Sequence, residues 1–178
     1  AELPFTTTHV SAAAGLVTWA LIESIKDGKA SAVGMATGAV AGLVGITPAA
    51  GFVSPASGML IGAITSCICF LSIKLKIKLS FDDSLDTFAG HGVGGTVGAI
   101  LTGIFAKSEL IASHPAGLVL LEQGRFGLVL GQFQAVLIAY AIAAIGTFII
   151  ALVLRSLGCS FRVNEIQEES GLDISQHG

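Results

Sequence analysis

Five stretches of the chain, roughly residues 7–25, 31–50, 56–74, 86–106 and 128–154, run almost free of charge and are separated by short polar, basic or acidic segments. A helix rises about 1.5 Å per residue, so about 20 apolar residues cross a hydrocarbon core about 30 Å thick. The pattern therefore predicts five transmembrane helices within 1–155, the last long enough to cross with tilt, followed by a polar, acidic tail over 156–178. In the second stretch Gly34, Gly38 and Gly42 recur every four residues, a stripe that admits another helix backbone at close range, and Gly90, Gly94 and Gly98 repeat the spacing in the fourth. Trp19 falls toward the end of the first stretch, where an indole favours the membrane interface. Pro48 stops the second stretch in the turn GITPAAGFVSP, and Thr47 there can bond the freed carbonyls or line a pore.

Composition turns this pattern into a class. Of 178 residues, 53% are hydrophobic and only 12% charged, and the mean hydropathy is +0.84. Half the usual charged fraction of about 25% cannot cover a water-facing surface, and the apolar content excludes disorder. Few aromatics (7%) beside 23 glycines suit helices packed tightly in lipid. The fold class is all-α, a polytopic membrane helix bundle. Lys26, Lys29, Lys74, Lys76, Lys78, Arg155 and Arg162 fall on one side of the predicted spans, against Lys107 and Arg125 on the other. By the positive-inside rule the first side is cytoplasmic, with the N-terminus external and the tail internal, as expected of the plasma (inner) membrane. Ala1 to Phe5 lacks a basic segment, so no signal peptide is expected. Cys67 and Cys69, two apart on a helix, diverge and suit neither a disulfide nor a shared metal. Nucleic acid is not an expected partner.

His91 is the sharpest chemical feature, since an ionisable side chain at membrane depth marks a functional site by default. The competing reading is a ring satisfied by a neighbouring helix carbonyl. Thr87, four residues earlier, shares its helix face, so a polar-lined path is available. A neutral imidazole both donates and accepts, and can hold or pass a proton. Upstream, Asp82, Asp83 and Asp86 sit at the start of that span, where carboxylates cap free amides; steering a cation to the mouth is the alternative. Gly90, Gly92 and Gly95 match GxGxxG, but without a strand before them they carry no dinucleotide site. His9, His114 and His177 read as solvated, and the Lys74, Lys76, Lys78 run as ordinary anchoring. No metal cluster, cofactor site or nucleophile and base pair is read in the spans, so an enzyme is not expected.

Three stretches, AGLVGITPAAGFV (Ala41 to Val53), DDSLDTFAGHGVGGTVGAILTGIFA (Asp82 to Ala106) and RVNEIQEESGLDISQHG (Arg162 to Gly178), strongly resemble the Amt/Rh family of ammonium transporters, in its Amt/Mep branch. The resemblance implies a homotrimer whose protomers are eleven-helix bundles, each with a narrow pore, and places these spans at helices seven to eleven. It implies that His91 is the second of two pore histidines, that Thr87 and Val40 line the pore, that Thr47 lies in the external turn, and that Asp83 and Asp86 support the pore helix. It assigns Glu168, Glu169, Gly171, Leu172 and Asp173 to a regulatory tail that communicates between protomers and with PII-type regulatory proteins. The first pore histidine, the external recruitment site and the phenylalanine gate belong to the first six helices, so the chain reads as the C-terminal part of a longer polypeptide or, as the alternative, as one whose missing half is a separate chain. Two functions follow: transport of ammonium or ammonia, or an ammonium sensor signalling through the tail or a fused kinase domain.

Overall fold

The computed structural model describes residues 2–111 and 124–176, and among them every regular element is helical. They are α1 (Glu2–Asp27), α2 (Ala32–Ile46), α3 (Pro55–Lys78), a π-helical turn (Phe88–Val93) running directly into α4 (Gly94–Phe105), α5 (Ser108–Ile111), α6 (Gly124–Ser156), α7 (Glu165–Ser170) and α8 (Leu172–Gln176). Glu2–Asp27, Pro55–Lys78, Phe88–Phe105 and Gly124–Ser156 are long and apolar enough to cross a membrane. Ala32–Ile46, at 15 residues, is shorter, about 22 Å. It stops because Pro48 has no amide to continue the ladder, and the chain turns over 47–53. His114 and Pro115 lie outside the described residues, as does His177. Two compact units divide the chain, Ala1–Val136 and Leu137–Gly178.

In the first unit the packing follows a four-residue repeat of small side chains. The buried residues of α1 are Thr7, Ser11, Gly15 and Trp19, one per turn. They face Gly58, Gly62, Ser66 and Phe70 of α3 at a constant offset of 51 residues, which makes α1 and α3 parallel. On the other side they meet Gly42 and Gly38 of α2, running antiparallel. A Cβ on Gly15 would land on the Gly38 carbonyl oxygen, and one on either Gly42 or Gly62 would land on the Ser11 carbonyl oxygen. No hydrophobic force draws helices together within lipid, so close van der Waals contact and interhelical hydrogen bonds supply the association. Ser11 Oγ donates to the Gly42 carbonyl at 2.8 Å, Ser66 Oγ to the Gly15 carbonyl at 2.8 Å, and Thr7 Oγ1 to the Ala50 carbonyl at 2.7 Å.

At one end of this bundle the small layers give way to large ones. Trp19 is only 4% exposed; its ring meets Phe70 edge-on at 5.2 Å and its N–H donates to Glu23 at 3.3 Å. A tryptophan can be buried here because that carboxylate, one turn away on its own helix, takes its single donor. Lys26 and Lys74 both lie over the Phe70 ring, at 5.4 and 5.3 Å. α4 joins through Gly98, whose Cβ would strike the Gly45 carbonyl, and through Gly94 beside Cys69. Gly90, read as part of the same stripe, has no described residue near its Cβ position, so its Cβ side forms no such contact. Its place in the π turn rotates it away from the contact row that α-helical spacing would have given it. The first residues of α6 close the unit: Leu128 is buried with Ala106 and Ile111, and Arg125 donates to the Ala106 carbonyl.

In the second unit the helical residues from Leu137 onward are exposed or half-buried, as befits apolar side chains whose surroundings are lipid or other helices. Beyond Ser156 the chain is polar and short-helical. Asn164 caps α7 with a reciprocal bond to Gln167, and Gly171, at φ +90°, ends it in a conformation that favours glycine. Arg162 holds Glu168 by both carboxylate oxygens, at 3.0 and 2.8 Å.

Candidate functional site

α2 has two faces of opposite character. Its glycine face is buried against α1, and the opposite face carries Val33, Val40, Leu43 and Thr47, all exposed. Beside that exposed face runs the π turn, in which hydrogen bonds close over five residues rather than four and one extra residue is accommodated per turn. His91 lies within it and Thr87 at its start.

Two open recesses occupy the groove between them. The first, about 520 Å³, is lined by Val40, Leu43, Val44, Thr47, Pro48, His91, Gly95 and Ala99. The second, about 370 Å³, is bounded chiefly by Val33, Thr37, Val40, Asp86, Thr87 and His91. Val40 and His91 line both, so the two recesses form one groove along the α2 and π-turn faces. The structure thus brings together His91, Thr87, Val40 and Thr47, the four residues expected along a pore, on one continuous surface.

Besides the imidazole, the polar side chains on that surface are those of Thr37, Thr47, Thr87 and Asp86. Thr47 Oγ1 donates to the Leu43 carbonyl at 2.7 Å and Thr37 Oγ1 to the Val33 carbonyl at 2.9 Å, so both hydroxyl protons are engaged in their own helix. Among the described residues the His91 ring makes no hydrogen bond, so none of them supplies the helix carbonyl that would satisfy it. An imidazole in this setting can donate from one nitrogen and accept at the other toward whatever enters the groove.

Below the groove the acidic loop sets the start of the π turn. Asp83 accepts from the Thr87 and Phe88 amides at 3.0 and 2.9 Å, one on each carboxylate oxygen. Two amides that the helix start leaves unpaired are thereby satisfied by a charged acceptor. Asp86 adopts φ +54°, is ion-paired with Lys76, and its carbonyl accepts from the Gly90 amide at 2.8 Å. Asp82 is exposed.

The tail residues lie in the second unit. The Arg162 guanidinium, bonded to both oxygens, holds the Glu168 carboxyl below its ordinary range. Glu169, Leu172 and Asp173 are exposed, and Gly171 terminates α7. A carboxylate with a depressed pKa contributes order above its unfolded pKa and loses it as pH falls through the folded one. Amide exchange over 165–170 is therefore expected to be unchanged from pH 8 to 5 and to accelerate below pH about 4, beyond the intrinsic pH dependence of exchange. Arg162→Gln should abolish the difference, and a parent profile identical to that variant would rule the clamp out.

Sequence reasoning missed three parts of this site. The π turn had no periodic signature, although glycine at 90, 92, 94 and 95 permits it. Leu43, Gly95 and Ala99 were legible by helical spacing from Val40 and His91 and went unread. Lys76 has the sequence setting of an interfacial anchor, and only the fold turns it toward the acidic loop.

With this geometry in hand, the chain can be set beside known proteins. The profile of the Ammonium Transporter Family matches residues 1–178. An ammonium transporter of Bacillus subtilis (strain 168) is 41% identical over 98% of this chain and 42% of its own length. Ammonium transporter MEP2 of Saccharomyces cerevisiae is 37% identical over 96% of this chain and 36% of its own length. The chain spans under half the length of these curated relatives. Among solved structures, the crystal structure of Saccharomyces cerevisiae Mep2 superposes with a TM-score of 0.78 at 35% identity, covering 93% of this chain and 38% of that one. One titled "Sensor Amt Protein" reaches 0.82 at 26% identity, covering 99% and 42%. From end to end, in its helical order and in its sequence, the chain belongs to the ammonium transporter family.

Proposed function

We propose that the protein moves ammonium across the membrane, carried through its apolar part as ammonia, along a narrow pore of which the α2 and π-turn groove is one wall. The observation that carries this reading is His91: a ring able to donate and accept, without a hydrogen bond among the described residues, flanked by Val40, Thr47 and Thr87 in a groove whose other polar side chains are Thr37 and the ion-paired Asp86. A bare cation in a low-dielectric passage costs several kcal/mol or more, whereas a neutral amine needs only replacements for the hydrogen bonds it made to water. His91 supplies those replacements and, with a second histidine elsewhere in the protein, a route for the proton left behind. Asp83 and Asp86 support the helix that presents it. The membrane part is residues 1–155, with its N-terminus outside, and 156–178 lies in the cytoplasm of a plasma (inner) membrane protein.

The relatives named ammonium transporters support this substrate. Likeness to a sensor Amt protein favours a second reading, in which ammonium binding alters the tail around Glu168, Glu169, Gly171, Leu172 and Asp173 and signals to a PII-type protein or a fused domain. Assembly as a homotrimer belongs to both readings.

Reconstitution of the whole protein into liposomes separates them. Transport predicts an ammonium-gradient-driven current or internal pH change well above that of protein-free vesicles. Saturable ammonium binding with no flux would reject transport in favour of the sensor.

A further inference from the structure

The three lysines that end α3 do different things. Lys74 is half exposed, 3.9 Å from Asp27, and Lys78 is exposed. The Lys76 side chain is only 16% exposed and reaches inward, where its ammonium contacts the Asp86 carboxylate and the Asp83 carbonyl oxygen. An anchoring lysine would extend to water and lipid headgroups. Lys76 is committed instead to the loop that opens the π turn.

That loop needs something to hold it. Asp86 is a non-glycine residue at φ +54°, an uncommon conformation that persists where surrounding contacts impose it. Both oxygens of Asp83 are taken by the Thr87 and Phe88 amides, which leaves Lys76 with the Asp83 backbone and the Asp86 side chain. Asp86 directly precedes Thr87, and its carbonyl takes the Gly90 amide, so its backbone sets the direction in which the π turn departs. Seven residues before Lys76, on the same face of α3, the Cys69 thiol lies 3.9 Å from the Gly90 carbonyl, next to His91. One face of α3 thus touches the segment at its start and again beside the histidine.

We propose that Lys76 is a positioning residue: its ion pair with Asp86 holds the left-handed start of the π turn and so fixes where Thr87 and His91 stand in the groove. It also neutralises a carboxylate that lines the groove itself. Without Lys76 the segment loses its restraint and an unpaired negative charge faces the passage, where it retains a cation that should move on. The second consequence rests on the transport reading, whereas the first does not.

The test uses the whole protein in detergent and in liposomes. Carbethoxylation of His91 by diethyl pyrocarbonate, followed by peptide mass spectrometry, reads the setting of the ring independently of transport. Lys76→Met is expected to change the His91 modification rate at least threefold, and Lys76→Arg, which keeps the charge, to stay within twofold of the parent. In liposomes Lys76→Met should lower the maximal rate at least fivefold and also lower the half-saturating ammonium concentration at least threefold. A loss of active protein would leave the half-saturating concentration unchanged. If Lys76→Met is not recovered as a monodisperse protein, Asp86→Asn breaks the same pair and should change the His91 modification rate at least threefold. A His91 rate within twofold of the parent in whichever of these variants is recovered, or a Lys76→Arg rate as altered as that of Lys76→Met, overturns the proposal. A parent protein without ammonium flux overturns the transport reading and leaves the modification assay to decide on Lys76.

Discussion

His91→Ala is expected to reduce ammonium flux through the reconstituted protein by about 30- to 100-fold. In the proposed pore, ammonia passing the groove must replace hydrogen bonds lost to water, and the Thr47 and Thr37 hydroxyls are already donating to carbonyls of their own helix. Removing the imidazole leaves the solute's polar atoms unsatisfied beside Val40, Val44 and Ala99, which costs about 2–3 kcal/mol. Each 1.4 kcal/mol is about tenfold in rate. The substitution should not disturb folding, because His91 is exposed on the groove and makes no hydrogen bond among the described residues. His91→Gln gives a sharper comparison: an amide donates and accepts but does not take up a proton at working pH, so neutral flux should partly return while proton-linked current stays lost. The measurement is electrical current and internal pH recorded together under one ammonium gradient. Unchanged current in His91→Ala would remove the histidine from the mechanism.

Gly62→Val is expected to be the most damaging substitution for stability in the first unit. The Ser11 carbonyl is pinched between two glycines, Gly42 of α2 and Gly62 of α3, and a Cβ at either would fall on it. The obstacle is backbone, so no side chain can swing aside, and α1 and α3 must separate. Separation also lengthens the bond from Ser66 to the Gly15 carbonyl one turn along. Overpacking of a tight contact costs about 1–3 kcal/mol and at times more. Fluorescence-detected size exclusion after heating should show a midpoint several degrees below the parent, or no monodisperse protein at all. Gly146→Ala is the control: no described residue lies near its Cβ position, and alanine restricts the unfolded chain, so the midpoint should hold or rise slightly. Gly62→Val with the parent's midpoint would show that the small-residue layer does not hold these helices together.

These two sites also mark what could be read before any coordinates. The helical class follows from apolar runs too long and too free of charge for anything else in lipid, since every amide must find its partner within its own helix. Of the stripe Gly34, Gly38 and Gly42, the last two meet the backbone of α1 as the spacing predicts, whereas Gly34 meets the Glu23 side chain. The matching stripes Thr7, Ser11, Gly15 and Gly58, Gly62, Ser66 were equally visible as four-residue repeats, but serine and threonine in a membrane span read first as polar oddities rather than as small surfaces. For Trp19 the place near a span end was legible, but not that a carboxylate one turn away satisfies the N–H and lets the ring be buried against Phe70.

What the sequence determined by itself is the local and additive part: five apolar stretches, the stop at Pro48, the faces of α2, and an imidazole at membrane depth whose residue type carries its chemistry anywhere. Tertiary structure decided what depends on several segments at once. It alone showed that Val40 and Thr47 of α2 share a groove with Thr87 and His91, that the chain around His91 winds as a π turn, and that of three similar lysines Lys76 turns inward. Helical periodicity sets how residues on one helix face relate to each other. Which face meets which, and where a turn departs from α geometry, depends on close contacts such as Gly98 against the Gly45 carbonyl and on the Lys76–Asp86 pair, interactions between residues too far apart in sequence for any local pattern to join.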